Sequence, residues 1–213
     1  MARKSATSKT GSTASTPPKD VEAAIIDAAM ALAAERPWSD LALADIAAAA
    51  GIGLIDLYRL FRSKTAILVA FARRLDAATV ALPPEPDAPK RDRLFELLMH
   101  RFDLLSPYKP GLKGLARDAR RGHLDGLALA CHLPRALAWT LEAAGVPASG
   151  FKGRVRIKIL ALAYLAAVRA WLTDDSPDLA KTMAALDKSL KRVEPLLRLT
   201  IPSAPASSGE VPA

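Results

Sequence analysis

The stretch from Leu41 to Lys64, LALADIAAAAGIGLIDLYRLFRSK, restricts the fold more than any other part of the chain. Ala42–Ala50 is rich in alanine, the strongest helix former. Leu43, Ile46 and Ala50 recur there at helical spacing as a buried face. Gly51 stands where a tight turn needs a positive φ, which glycine adopts without a Cβ clash. Ile52 follows as a buried turn residue. Leu54–Phe61 is then one short helix, with Leu57, Leu60 and Phe61 directed to a core and Tyr58 amphipathic. Ser63 is placed as the N-cap of a longer helix running from Lys64 towards Leu82. Two short helices joined by a turn containing glycine form the helix-turn-helix arrangement.

Such a second helix reads DNA through polar side chains, with Arg or Lys on guanine and Asn or Gln on adenine. Here its exposed side shows Leu54, Ile55, Asp56 and Arg59. Arg59 alone has the right chemistry, and Asp56 repels phosphate.

On these residues the segment resembles the TetR family of bacterial repressors. Asp45, Ile46, Ala47, Ala50, Gly51, Leu57, Tyr58, Phe61, Lys64 and Leu68 stand at the family's headpiece positions. Ile25, Ala28, Ala29 and Leu32, with Trp38, match the helix that braces the motif, so the likeness runs over residues 21 to 75. The resemblance implies an all-α, TetR-like fold. Residues 21–82 would be a three-helix headpiece with the motif at about 42–61. Residues 90–200 would be a helical effector-binding and dimerisation domain, with tails at 1–20 and 201–213. It further implies a homodimer on double-stranded operator DNA, acting as a repressor released by a hydrophobic effector. The implied DNA-facing set is Gly53, Leu54, Asp56, Tyr58, Arg59, Arg62 and Lys64, with Tyr58, Arg62 and Lys64 on the backbone. Backbone contacts position a protein without specifying sequence. Three positions depart from the pattern: Gly53 replaces a capping Ser, Ile55 a small Gly, and Leu60 a His.

Charge is distributed against expectation for a DNA reader. The chain carries +8 overall, yet residues 21–83 hold six basic and seven acidic side chains. The excess lies in the Ser/Thr-rich segment 1–20, at +3, and in 84–213, at +6. The composition of 1–20 is that of a disordered basic tail able to track a phosphate backbone. A lone cysteine, Cys131, excludes an internal disulfide framework and suits the cytoplasm. No run is apolar for the ~18 residues of a membrane span.

Proline-rich ALPPEPDAPKRD (Ala81–Asp92) separates the headpiece from the second half of the chain. Lys90–Leu105 is an amphipathic helix with Leu94, Leu98 and Phe102 on one face beside Phe95 and Met99. Pro107 and Pro110 should break it. Leu112–Arg121 is a short basic helix ending at Gly122. Leu124–Ala144 is a mostly apolar one with a kink expected at Pro134. Val155–Leu172 is the most apolar segment, through Ile157, Ile159, Leu160, Leu162, Leu165 and Val168. Such a helix belongs in a core or an oligomer interface. Ser176 and Pro177 should open a last helix, Asp178–Leu199, with Met183, Leu186, Leu190 and Val193 along one side. The TetR pattern implies dimerisation through the last two long helices.

A second resemblance lies in Arg91–Pro110 and Trp171–Glu194. Trp171, Asp174, Ser176, Asp178 and Thr182 are similar to a motif of ubiquinone-biosynthesis accessory lipid-binding proteins, which share the TetR fold. That likeness implies an isoprenoid ligand and, as the alternative function, a lipid-presenting protein that no longer reads DNA. In that reading Val193, Leu196, Leu197, Leu199 and Ile201, with Lys191, Arg192 and Arg198, would approach a membrane. The plainer expectation is that they finish the last helix and pack on the core.

Catalysis finds no support. His100, His123 and His132 stand apart, without the spacing of metal ligands. Cys131 and His132 are neighbours that face different directions on a helix. No phosphate-cradling glycine loop is present, so neither cofactor nor metal is expected. An apolar ligand pocket suits the second domain, and Phe95, Phe102, Trp139, Tyr164 and Trp171 are its candidate lining.

Overall fold

In a computed structural model, residues 18–83, 85, 87–121 and 126–199 are described. Residues 1–17 of the expected first tail, the expected tail 201–213, Gly122, His123 and the first residues of the expected Leu124–Ala144 helix lie outside them, as do the side chains of Arg198 and Leu199, whereas Pro18–Asp20 belong to a helix and not to the tail. The described residues form helices and turns, with no strand. The headpiece contains α1 (Pro18–Glu35), α2 (Leu43–Ala49), α3 (Leu54–Leu60) and the start of α4 (Lys64–Val80). The second domain adds α5 (Lys90–Leu105), α6 (Lys109–Arg120), α7 (Leu127–Ala143), α8 (Gly150–Trp171) and α9 (Ala180–Leu199).

Local chemistry explains the headpiece boundaries. Asp45 accepts a hydrogen bond from the Ala42 N–H at 3.0 Å, tying down the entry to α2. Gly51 has φ +69 and carries the chain through the turn. The Ser63 hydroxyl accepts from the Ala66 N–H at 3.1 Å, so the N-cap of α4 is where its sequence places it. Ile25, Ile46, Leu57, Ile67 and Leu68 close the small core, each at most 1% exposed. Leu60 does not join them. It is 40% exposed, because Phe61, in extended conformation past the helix end, takes the buried place instead.

The same apolar core runs without interruption from the headpiece into the second domain. The closest junction is between α1 and α6. A Cβ on Gly111 would stand 2.4 Å from the Met30 carbonyl oxygen, and one on Gly114 would stand 2.2 Å from that of Ala33. Only glycine permits this approach. At the far end of α6, buried Asp118 accepts a hydrogen bond from the Trp38 N–H at 2.6 Å. Arg74 on α4 adds a bridge to Asp27 on α1 at 2.6 Å and to the Tyr108 hydroxyl at 2.7 Å.

Several boundaries differ from the sequence expectation. Pro110 opens α6 rather than breaking a helix, because the first turn needs no N–H from it. A short 3-10 turn, Ser106–Tyr108, joins α5 to α6. Pro134 is accommodated inside α7. The last helix starts at Ala180 and not at Asp178, because Leu179 takes φ +52, outside helical space. Met183 is 43% exposed and so leaves the buried side formed by Leu186 and Leu190. Val193 is half-buried and Leu197 buried, so this end of α9 packs on the core.

The turn before α9 is organised by Asp174. Its Oδ2 accepts from the Thr182 N–H at 2.8 Å and from the Thr182 hydroxyl at 2.7 Å. Its Oδ1 accepts from the Ser176 hydroxyl and N–H. These hydrogen bonds, that of Ser176 first, hold the Asp174 carboxyl well below the usual range despite burial. A folded pKa below the unfolded one stabilises at pH above the unfolded value, about 4, and the contribution is lost as pH falls below it. Asp174→Ala should therefore lower the thermal midpoint at pH 7, read by circular dichroism. The deficit relative to wild type should shrink as the pH is taken from 5 down towards 2. An unchanged deficit across that range would show that the carboxylate charge is irrelevant to the turn.

Candidate functional site

Two places carry functional geometry: the outer face of α3 and a cavity in the second domain. On α3, Leu57 is fully buried and anchors the helix, while Leu54, Ile55 and Tyr58 are 52%, 60% and 56% exposed. Large apolar side chains left open on a short helix mark a contact face. Gly53 sits at the N-cap in extended conformation and supplies no side-chain cap. Asp56 is paired with Arg59 at 3.2 Å, both well exposed. An exposed pair of this kind is worth only about 0–1 kcal/mol, so it holds Arg59 weakly. Arg62 is exposed just beyond the helix.

Lys64 has a different environment from the one its sequence position suggests. Its ammonium donates to the Trp38 carbonyl at 2.7 Å and the Ser39 carbonyl at 3.3 Å, and lies 5.7 Å from the centre of the Trp38 ring. It clamps the start of α4 to the loop after α1. Trp38 is thereby held from both sides, by Asp118 on its N–H and Lys64 on its C=O. Sequence reading missed Asp118, Gly111 and Gly114. The spacing Gly-x-x-Gly in α6 was the available signal, but it names no partner.

The cavity lies between α4, α5, α6, α7 and α8 and has a volume of about 320 Å³. Phe71 and Leu75 from α4, Leu112 and Leu115 from α6, and Leu133 from α7 give it apolar walls. Of the five large side chains expected to line it, Tyr164 and Trp171 do so. Phe102 is fully buried behind them, stacked on Tyr164 at 5.3 Å and tilted against Trp171 at 5.9 Å. Phe95 is half-buried away from the walls, and Trp139 is 54% exposed on the outer side of α7. Counting aromatics could not distinguish the two faces of a helix that is apolar on most of its circumference.

Three polar side chains enter the cavity wall: Arg101, His132 and Tyr164. His132 is not the isolated histidine its sequence suggests. Its Nε2 is 2.7 Å from Asp76 Oδ2, while Arg101 Nη1 is 2.7 Å from Asp76 Oδ1. Asp76 comes from α4, so α4, α5 and α7 meet in one buried cluster. Burial pushes the Tyr164 hydroxyl pKa up, with neighbouring Arg101 pulling against it, so the phenol keeps its proton. Among the described residues no group of three or more His, Cys, Asp and Glu side chains could hold a metal ion. Among them no helix is long and apolar enough to cross a membrane.

This arrangement of headpiece and helical domain has known counterparts. The family model for bacterial regulatory proteins, tetR family, matches residues 25–71. A TetR transcriptional regulator from Nitrosomonas europaea ATCC 19718 superposes with a TM-score of 0.66 at 23% identity, over 81% of this chain and 97% of that one. A tetR-family regulator from Streptomyces coelicolor gives a TM-score of 0.56 at 20% identity, over 90% and 93%. A TetR regulator from Rhodococcus sp. RHA1 gives 0.53 at 19%, over 81% and 96%. No curated protein matches the chain. The likeness to ubiquinone-biosynthesis accessory proteins gains no support from these counterparts, and its motif residues Asp174, Ser176 and Thr182 are accounted for by the turn that starts α9. Residues 25–71 thus match the model of the tetR family of bacterial regulatory proteins, and the chain as a whole has the fold seen in these TetR regulator structures.

Proposed function

We propose that the protein is a cytoplasmic, dimeric transcriptional repressor that leaves its operator when a hydrophobic effector fills the second-domain cavity. The observation that carries this is the outer face of α3, where Leu54, Ile55 and Tyr58 stand open on a rigid helix-turn-helix. Docked in the major groove, Leu54 and Ile55 meet the C5-methyl groups of thymine, the apolar feature of that groove. Arg59, once released from Asp56, is the polar reader. Tyr58 and Arg62, with the N–H groups at Gly53 and Leu54, meet phosphates. Lys64 acts indirectly, by fixing α4 to Trp38.

Dimerisation uses α8 and α9. Phe151, Leu162 and Leu165 lie on one stripe of α8 and are 75%, 69% and 47% exposed, with Met183 open on the neighbouring α9. The effector acts through α4 and α6. Both line the cavity, α4 starts within the headpiece and runs on against α5 and α7, and α6 is seated on α1. A ligand that fits one spacing of the two headpieces better than another shifts the population accordingly.

Selection from a random duplex library, followed by titration at low and raised salt, tests the reading. The protein should enrich a two-fold symmetric, thymine-containing site and lose affinity steeply with salt. Replacing thymine by deoxyuridine in that site should weaken binding about fourfold per contacted methyl, each methyl being worth about 0.8 kcal/mol. Tyr58→Ala should weaken all sequences alike. Failure to enrich any duplex at low salt would remove the repressor reading.

A further inference from the structure

The cavity is asymmetric in charge, and that asymmetry selects a ligand class. Arg101 is 5% exposed and reaches the wall, whereas its counter-ion Asp76 is absent from the lining. The carboxylate stands behind the guanidinium, with one oxygen taken by Arg101 and the other by His132. The wall therefore shows a cation and donors, and no free carboxylate. Arg101 Nε is buried without a hydrogen-bond partner, as are Trp38 Nε1 and Arg91 Nε elsewhere, and of these three side chains only Arg101 lines the cavity. Tyr164, kept protonated beside it, adds an O–H donor, and its ring is held by the stack on Phe102. Everything else around the space is apolar apart from His132, whose Nε2 is taken by Asp76, and the Trp171 indole, whose N–H faces Ser106 Oγ at 3.5 Å.

We propose that this cavity takes an amphipathic carboxylate, with its apolar body among Phe71, Leu75, Leu115 and Leu133 and its head against Arg101 and Tyr164. The inference rests on the effector reading of the cavity and supplies its chemical class. A volume of 320 Å³ is about ten water volumes, which sets a body of roughly ten heavy atoms. A cationic head would face Arg101 with like charge. A hydrocarbon would leave Arg101 Nε and the Tyr164 hydroxyl facing it with no new acceptor, which disfavours it against a ligand that supplies one. An alcohol offers one neutral acceptor. A carboxylate makes charge-assisted hydrogen bonds roughly twice as strong, so it wins among ligands with the same body.

Isothermal titration calorimetry of the full chain with sodium decanoate, 1-decanol and decyltrimethylammonium separates these cases. Decanoate should bind about tenfold more tightly than decanol, a difference of about 1.4 kcal/mol, and the ammonium should not bind. Arg101→Met should abolish the preference for decanoate while decanol affinity stays. Because that change strands Asp76 and can unfold the domain, Tyr164→Phe is the second variant. It keeps the ring stack and should narrow the gap. Equal or tighter binding of decanol, binding of the ammonium, no binding of any of the three, or a gap unchanged in both variants would overturn the proposal. Duplex binding measured on the same preparation separates the two readings. A protein that binds its selected duplex without preferring decanoate loses only the ligand class, and one that prefers decanoate but binds no duplex loses the repressor.

Discussion

Gly114→Ala is expected to destabilise the protein by about 3 kcal/mol, at the upper end of what overpacking costs, and to lower the thermal midpoint by roughly 6–12 °C. The sign is the opposite of what the helix itself would report. In an open helix interior alanine is better than glycine by about 1 kcal/mol. Here the new methyl would stand 2.2 Å from the Ala33 carbonyl oxygen, and that oxygen belongs to the backbone of α1. Neither helix can yield without the other, so α6 must lift from α1. Lifting it strains the buried hydrogen bond from the Trp38 N–H to Asp118. Gly126→Ala is the control: its methyl would stand 3.4 Å from the Leu115 carbonyl oxygen, an ordinary contact. Differential scanning calorimetry on both variants decides the matter. If Gly114→Ala melts with the wild type, the close approach of α1 and α6 has no energetic weight. A variant that still folds should also respond less to effector, because the seat through which α6 reaches the headpiece is loosened.

Leu162→Glu should turn the proposed dimer into a monomer and cost at least about a hundredfold in affinity for the selected duplex. Leu162 is 69% exposed at the middle of the α8 stripe, so a glutamate there is harmless to the isolated protomer. Across a two-fold axis it places a charge in an apolar contact, unpaired and partly desolvated. The affinity loss follows from linkage. Two headpieces on one dimer reach the second half-site at an effective concentration that raises avidity by about 10²–10⁴ over one headpiece alone. Light scattering coupled to gel filtration gives the mass, and titration on the selected duplex gives the affinity. Leu127→Glu, on the exposed side of α7 at 49%, should change neither. A Leu162→Glu protein that remains dimeric would move the interface away from α8.

Much of the headpiece was legible before the structure. Alanine density, Gly51 and Ser63 are local signals, and the structure places a turn and a cap at these residues because local hydrogen bonds and φ preferences decide them. The ends of α5 at Lys90 and Leu105 were equally legible from its amphipathic spacing. Leu60 was misread because a periodicity within one turn of a helix end cannot say which of two adjacent apolar residues turns inward. Asp178 was misread as the start of α9 because the sequence does not show that Leu179 takes a positive φ in the turn that Asp174 ties to Thr182.

The cavity shows where sequence stopped. Which aromatics line it depends on the angle at which five helices meet, and that angle is absent from any one helix. His132 looked isolated because Asp76 lies 56 residues away. Lys64 looked free because its carbonyl partners are Trp38 and Ser39, on a loop behind it. The sequence by itself determined an all-helical chain with a helix-turn-helix whose second helix has a mostly apolar outer face, since helix propensity, glycine conformation and side-chain period act within a few residues. Only the tertiary structure decided that Trp38 is gripped between α6 and α4, and that a cation is presented to an apolar cavity with its counter-ion behind it. Those are contacts between groups far apart in the chain, and close packing, not local preference, brings them together.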